Sequence, residues 1–146
     1  MHPLYPSWIE IPARDLERAL AFYRTVFGLS DTPVYDDEPP ARIAVLLPSD
    51  KSFRGPGVSL VQSPLHHPAD GGAVVNFHVD THVALDTAIE RIRDLGGTVD
   101  TDVVDMGDGV RYINVLDCEG NRIALSSYEP LDEGDDVADT SARTDI

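Results

Sequence analysis

The sequence is poor in the residues that staple a chain, anchor it or hold polyanions. Its single cysteine, Cys118, excludes an internal disulfide and any multi-cysteine metal centre. Lysine occurs once, at Lys51, and 11 basic residues face 26 acidic ones, for a net charge of −15. Such a balance disfavours nucleic acid and anionic membranes as partners. It reads first as a strongly solvated surface, of the kind a salt-adapted organism uses, with steering of a cationic ligand as the functional alternative. No apolar run approaches the roughly 20 residues of a membrane span, and the start of the chain shows no basic-then-apolar signal pattern, so a soluble, cytoplasmic protein is expected. What remains is ordinary: an apolar fraction of 42% suits a packed globular core.

The apolar residues are arranged in a pattern that occurs twice. Trp8–Pro12 alternates bulky and polar side chains as a half-buried strand does. A helix follows, with Asp15 as N-cap, Leu16, Ala19, Leu20, Tyr23 and Phe27 on one face and Gly28 at the end. Three strand-like stretches come next: Thr32–Tyr35, Ile43–Leu47 and Val58–Gln62, separated by breaks rich in Pro, Gly and Asp. The order then restarts about 66 positions on, with Val74–Val79 matching the first strand. Asp80 or Thr81 caps a second helix, which carries Leu85, Ala88, Ile89, Ile92 and Leu95 and ends at Gly96-Gly97. Val99–Val104, Val110–Leu116 and Arg122–Tyr128 close the second copy, the last two joined by the turn Asp117-Cys118-Glu119-Gly120-Asn121.

The pattern is β-α-β-β-β written twice. The expected fold is α+β: a curved eight-stranded mixed sheet shaped as a cup, with the helices on its outer face. Ferredoxin-like halves without a cup are the alternative. One domain is expected over 1–130, with module one at about 5–64 and module two at about 72–129. Residues 131–146 are acidic, hold little apolar material and are expected to be a disordered tail.

Several phrases are similar to one family. Ile11-Pro12-Ala13-Arg14-Asp15-Leu16-Glu17-Arg18-Ala19-Leu20-Ala21-Phe22-Tyr23, running on to Phe27-Gly28-Leu29, resembles the opening of glyoxalase/bleomycin-resistance/dioxygenase (vicinal-oxygen-chelate) domains. Leu116-Asp117-Cys118-Glu119-Gly120-Asn121-Arg122-Ile123 resembles their closing hairpin, with Cys118 where proline is usual. Asn76-Phe77-His78-Val79-Asp80 fits the second module's first strand. The aromatic-hydrophobic-Glu-Ile-Pro opening resembles an uncharacterised branch related to lactoylglutathione lyase. The resemblance implies a metal site fed by both modules. Its positions fall on Trp8, Val74, Ala124 and a residue near Gln62, and the first three carry no metal donor. No metal and no other cofactor is therefore expected. The resemblance also implies a homodimer.

Strand alternation supplies a different set for the cup: Trp8, Glu10, Gln62, Asn76, His78, Tyr112, Asn114 and Ser126. An aromatic platform, a carboxylate, an imidazole and neutral hydrogen-bonding groups suit a small organic ligand. The leading expectation is a metal-independent small-molecule binding domain. The rivals are a lyase, isomerase or epimerase acting next to a carbonyl, and an interaction module whose cup is filled. In the enzyme reading Glu10 is the base, assisted by His78, or a metal is bound by non-standard ligands. The bland alternative for Glu10 is solvent, or a pair with Arg42 or Arg122. His66 and His67 are adjacent, so their side chains diverge and make no metal set. Cys118 is expected to be exposed in its turn.

Overall fold

The computed structural model describes residues 4, 6–38, 40–48 and 55–131; the tail expected at 131–146 lies outside them but for Leu131. In module one, β1 (Trp8–Pro12) leads to α1 (Leu16–Phe27), then β2 (Val34–Glu38), β3 (Ala41–Leu47) and β4 (Gly57–Gln62). In module two, β5 (Val75–Val79) leads to α2 (His82–Asp94), then β6 (Val104–Asp105), β7 (Val110–Leu116) and β8 (Arg122–Tyr128). The eight strands form two four-stranded sheets of like order, β1-β4-β3-β2 and β5-β8-β7-β6. Each is mixed, because β1 runs parallel to β4 and β5 parallel to β8 while the remaining pairs are antiparallel. The chain is thus an α+β fold of two βαβββ modules.

The helices start and stop where their end groups are satisfied. The Asp15 side chain accepts from Arg18 N, and Gly28 adopts φ 66 beyond the last turn of α1. Thr81 accepts from Ala84 N to open α2. Beyond α2, Gly96 takes φ 90, whereas Gly97 lies so near Ile92 and the Leu116 carbonyl that a Cβ would sit 2.8 Å from that oxygen. Leu16, Ala19, Phe22, Tyr23 and Val26 bury one face of α1, and Leu20 and Phe27 pack at its margin. Leu85, Ala88, Ile89 and Ile92 bury the face of α2, but Leu95 is exposed.

One hydrophobic cluster joins the modules. It unites Ile11 and Leu60 of the first sheet with Ile113 and Leu125 of the second, and α1 touches α2. Where they meet, the Phe27 and Phe77 rings lie 4.9 Å apart between centroids, and Tyr23 packs against both.

Several strands differ from their sequence-based bounds: β3 begins at Ala41, not Ile43, β4 at Gly57, not Val58, and β5 at Val75, not Val74. β2 begins at Val34, not Thr32. The run Val99–Val104 is not a continuous strand. Thr98 bridges Leu116 and Val104 pairs with Tyr112, so the stretch between them holds two more residues than its partner. The surplus bulges out of the ladder, and the Thr101 hydroxyl, not a backbone amide, donates to the Asn114 carbonyl.

Candidate functional site

The strand face turned away from α1 is built by β1 and its neighbour β4. Ile11 points into the core, so Trp8 and Glu10 point the other way. Trp8 stands opposite Gly57 and Glu10 opposite Ser59. With no side chain at Gly57, the indole is free to lie over β4, and its Nε1 donates to Ser59 Oγ at 3.1 Å. Ser59 is fully buried beneath it, while Trp8 keeps 41% of its surface exposed. The indole therefore leans toward the row occupied by Glu10 and presents a ring face to solvent.

Glu10 belongs to a short polar chain. His66 Nε2 lies 3.1 Å from Glu10 Oε1, and His66 Nδ1 lies 2.6 Å from Ser63 Oγ. Leu65 N also donates to Ser63 Oγ, so the turn Ser63–His66 holds the imidazole in place. The partner expected for Glu10, His78, is not the one found. Nor are Arg42 and Arg122: Arg42 pairs with Glu17 and Asp36, and Arg122 Nε donates to the Asp70 carbonyl. Sequence reasoning set His66 aside with its neighbour His67. The missed signal was the Ser63-Pro64-Leu65-His66 turn, which returns one ring toward β1.

The second sheet carries its own group. Ser126 Oγ donates to Asn76 Oδ1 at 3.1 Å, and Tyr112 and Asn114 occupy the same face, opposite Ser126 and Ala124. Among the described residues no hydrogen bond or ion pair joins this group to Trp8 or Glu10. His78, next along β5, borders a cavity of about 540 Å³ whose wall includes Phe27, Leu46, Phe77 and Ala88. That cavity lies between the helices and is mostly apolar; the polar groups gather on the strand faces instead. A smaller cleft of about 140 Å³ brings Glu10 near His67 and Arg122.

Gln62 requires a correction. In the β1–β4 register it follows Val58 and Leu60 on the helix-facing side, and its Oε1 accepts from Leu16 N at 2.9 Å. It caps α1 and does not enter the cup. In the closing turn Asp117, Glu119 and Asn121 are all buried. Glu119 Oε1 accepts from Arg14 N and Asp15 N, its Oε2 lies 2.9 Å from Arg18 Nη2, and Asn121 Nδ2 donates to the Pro12 carbonyl. This second-module turn grips the first module where β1 becomes α1. Cys118, expected to be exposed, is half-buried against the core, and burial pushes its thiol up to about 11, with the Asp117 charge adding to the shift.

The duplicated module, the paired mixed sheets and the closing hairpin agree with a family model, Glyoxalase/Bleomycin resistance protein/Dioxygenase superfamily, which matches residues 6–125. The chain belongs to that superfamily. A glyoxylase-like domain-containing protein of Didymella fabae is 32% identical over 124 residues, 82% of this chain and 90% of its own. Among solved structures, the glyoxylase/bleomycin resistance protein/dioxygenase domain from Frankia sp. EAN1pec superposes with a TM-score of 0.66 at 14% identity, covering 91% of this chain and 96% of that one. The genomically encoded fosfomycin resistance protein FosX from Listeria monocytogenes gives 0.64 at 17% identity, covering 88% and 95%. These two likenesses are likenesses of fold.

For a glyoxalase-superfamily chain, the question is whether the residues present fit a metal. They do not fit one at the usual positions. The Trp8 N–H is a donor committed to Ser59, Gln62 Oε1 is committed to Leu16 N, and Val74 and Ala124 carry no donor atom. Among the described residues no three His, Cys, Asp or Glu side chains gather as a metal set.

Proposed function

We propose that this superfamily member binds a small organic molecule on the strand face carrying Trp8 and Glu10, without the metal its relatives' fold can house. The observation that carries this reading is the Trp8–Ser59 hydrogen bond at the position of a first-strand ligand. It fixes an exposed indole as an aromatic platform beside a carboxylate, and a few convergent polar groups around an apolar surface are what small-molecule sites present. The test is paired. Elemental analysis should find no stoichiometric transition metal, and small aromatic compounds should change the fluorescence of Trp8, the single tryptophan. About one metal ion per chain, or an indole indifferent to every compound, defeats the reading.

The Glu10–His66 contact favours a second reading, proton abstraction next to a carbonyl. Glu10 would take the proton through its free oxygen, while the imidazole holds the other. A turnover lost in Glu10→Gln with binding preserved would separate this reading from simple binding. Asn76, Tyr112, Asn114 and Ser126 would meet the ligand's polar groups if both strand faces share one cup. We also propose a homodimer, since Tyr35 on the edge strand β2 and Val104 on the edge strand β6 leave apolar area uncovered.

A further inference from the structure

Resting on the binding reading above, we infer that the Trp8–Glu10 face selects small organic cations, that is, alkyl or aryl ammonium compounds. Three independent observations point the same way. The first is geometry. Because Trp8 opposes Gly57 while its Nε1 reaches Ser59 Oγ, the indole extends to the level of Glu10 on the neighbouring strand, about 5 Å away across the sheet. A ring face and a carboxylate are thus offered side by side, and a cation can lie over the first while pairing with the second.

The second observation is the state of Glu10. Its only ion-pair partner among the described residues is His66; Arg122 shares a cleft with it without forming an ion pair. A neutral imidazole N–H can steady Oε1 without cancelling the carboxylate charge, which leaves Oε2 for an incoming ammonium group. Over the buried Ser59 and Val61, the accessible neighbours on this face are Trp8, Ile43 and Val45, which would hold an alkyl or aromatic body. The third is the field of the whole chain. At a net charge of −15, cations are concentrated near the surface and anions repelled.

The experiment uses three probes of one shape and different charge: choline, the neutral alcohol 3,3-dimethylbutanol, and the anion 3,3-dimethylbutyrate. Each is titrated against the full chain while Trp8 fluorescence is read. Choline, whose nitrogen carries no N–H and acts through its charge alone, should bind at least about ten-fold more tightly than the alcohol, and the anion least of all. Glu10→Gln should bring choline down to the level of the alcohol. Glu90→Gln, which removes the same charge from the exposed side of α2, should leave choline binding unchanged. The inference is overturned if the alcohol matches choline, or if Glu10→Gln does no more than Glu90→Gln; in either case the small-molecule reading survives. If Trp8 responds to none of the three, nor to neutral aromatic compounds, both fall together.

Discussion

The Tyr23 hydroxyl donates to Asp117 Oδ2 at 2.6 Å, joining the middle of α1 to the turn that closes the second module. Both residues are buried, and 94 positions separate them. Asp117 also accepts from Glu119 N, Asn121 N and Asn121 Nδ2, so it organises its own turn while holding the first module. With Glu119 on the amides of Arg14 and Asp15, the contact fixes how the two sheets are set against each other. It therefore also sets the distance between the Trp8 face and the Asn76 face.

Tyr23→Phe should leave the fold intact but lower its stability by about 1.5–3 kcal/mol, the range for a hydrogen bond to a charged group. At this chain length that corresponds to a melting temperature lower by roughly 3–10 °C. The pH dependence has a definite sign. Burial first, and the Asp117 charge second, raise the Tyr23 phenol well above 10.0. Its contribution is fully present below pH 10 and is lost above it, where the unfolded phenol ionises and the folded one resists. The stability difference between wild type and Tyr23→Phe should accordingly shrink as pH rises past 10. A difference that is flat or growing there would contradict this account.

Cys118 sits in the same turn and should be a slow thiol. With a value of about 11, roughly one molecule in a thousand is thiolate at pH 8, against about a quarter for an ordinary cysteine. Disulfide-exchange labelling of the native protein at pH 8 should be at least about ten-fold slower than in denaturant, where the ordinary value returns, because the greater nucleophilicity of a high-pKa thiolate offsets only part of its scarcity. Its rate should rise about ten-fold per pH unit up to pH 10. Native labelling within a few-fold of the denatured rate would show that the thiol is neither buried nor raised.

These buried groups also show why part of the molecule was legible in the sequence and part was not. Helix positions were readable because Asp15, Gly28, Thr81 and Gly96 act on backbone groups within a few residues of themselves. Trp8 and Glu10 could be placed on one face because β1 alternates. In β4 every residue from Gly57 to Val61 is buried, so no alternation tells one face from the other, and Gln62 was assigned to the wrong side. Asp117, Glu119 and Asn121 look like a solvated turn when read locally. Their partners lie about a hundred positions away, and only the packed modules reveal them.

The proposed homodimer predicts a definite particle. Light scattering at micromolar concentration and moderate salt should give about twice 15.9 kDa. If the contact uses outer strands, a charge placed at Tyr35 or Val104 should shift the population to monomer without loss of helical signal. Wild-type protein that scatters only as a monomer would remove the dimer from the functional picture.

The last prediction concerns the proton on His66, which decides how Glu10 is presented to a ligand. Ser63 Oγ accepts from Leu65 N, so its own hydrogen is free to point at His66 Nδ1, 2.6 Å away. A hydroxyl that donates to Nδ1 leaves a neutral ring with its hydrogen on Nε2, directed at Glu10 Oε1. Nitrogen-15 NMR at a pH where imidazole is neutral should show the Nε2–H tautomer at His66. Ser63→Ala should weaken that preference, because the acceptor on Nδ1 loses its donor. Glu10→Gln offers the ring an amide that can donate to Nε2 as well as accept from it, so this variant should also shift the tautomer balance. If His66 instead carries its hydrogen on Nδ1, Glu10 Oε1 faces a lone pair. The carboxylate would then lack the donor that steadies it, and the arrangement of Glu10 beside Trp8 would need another support.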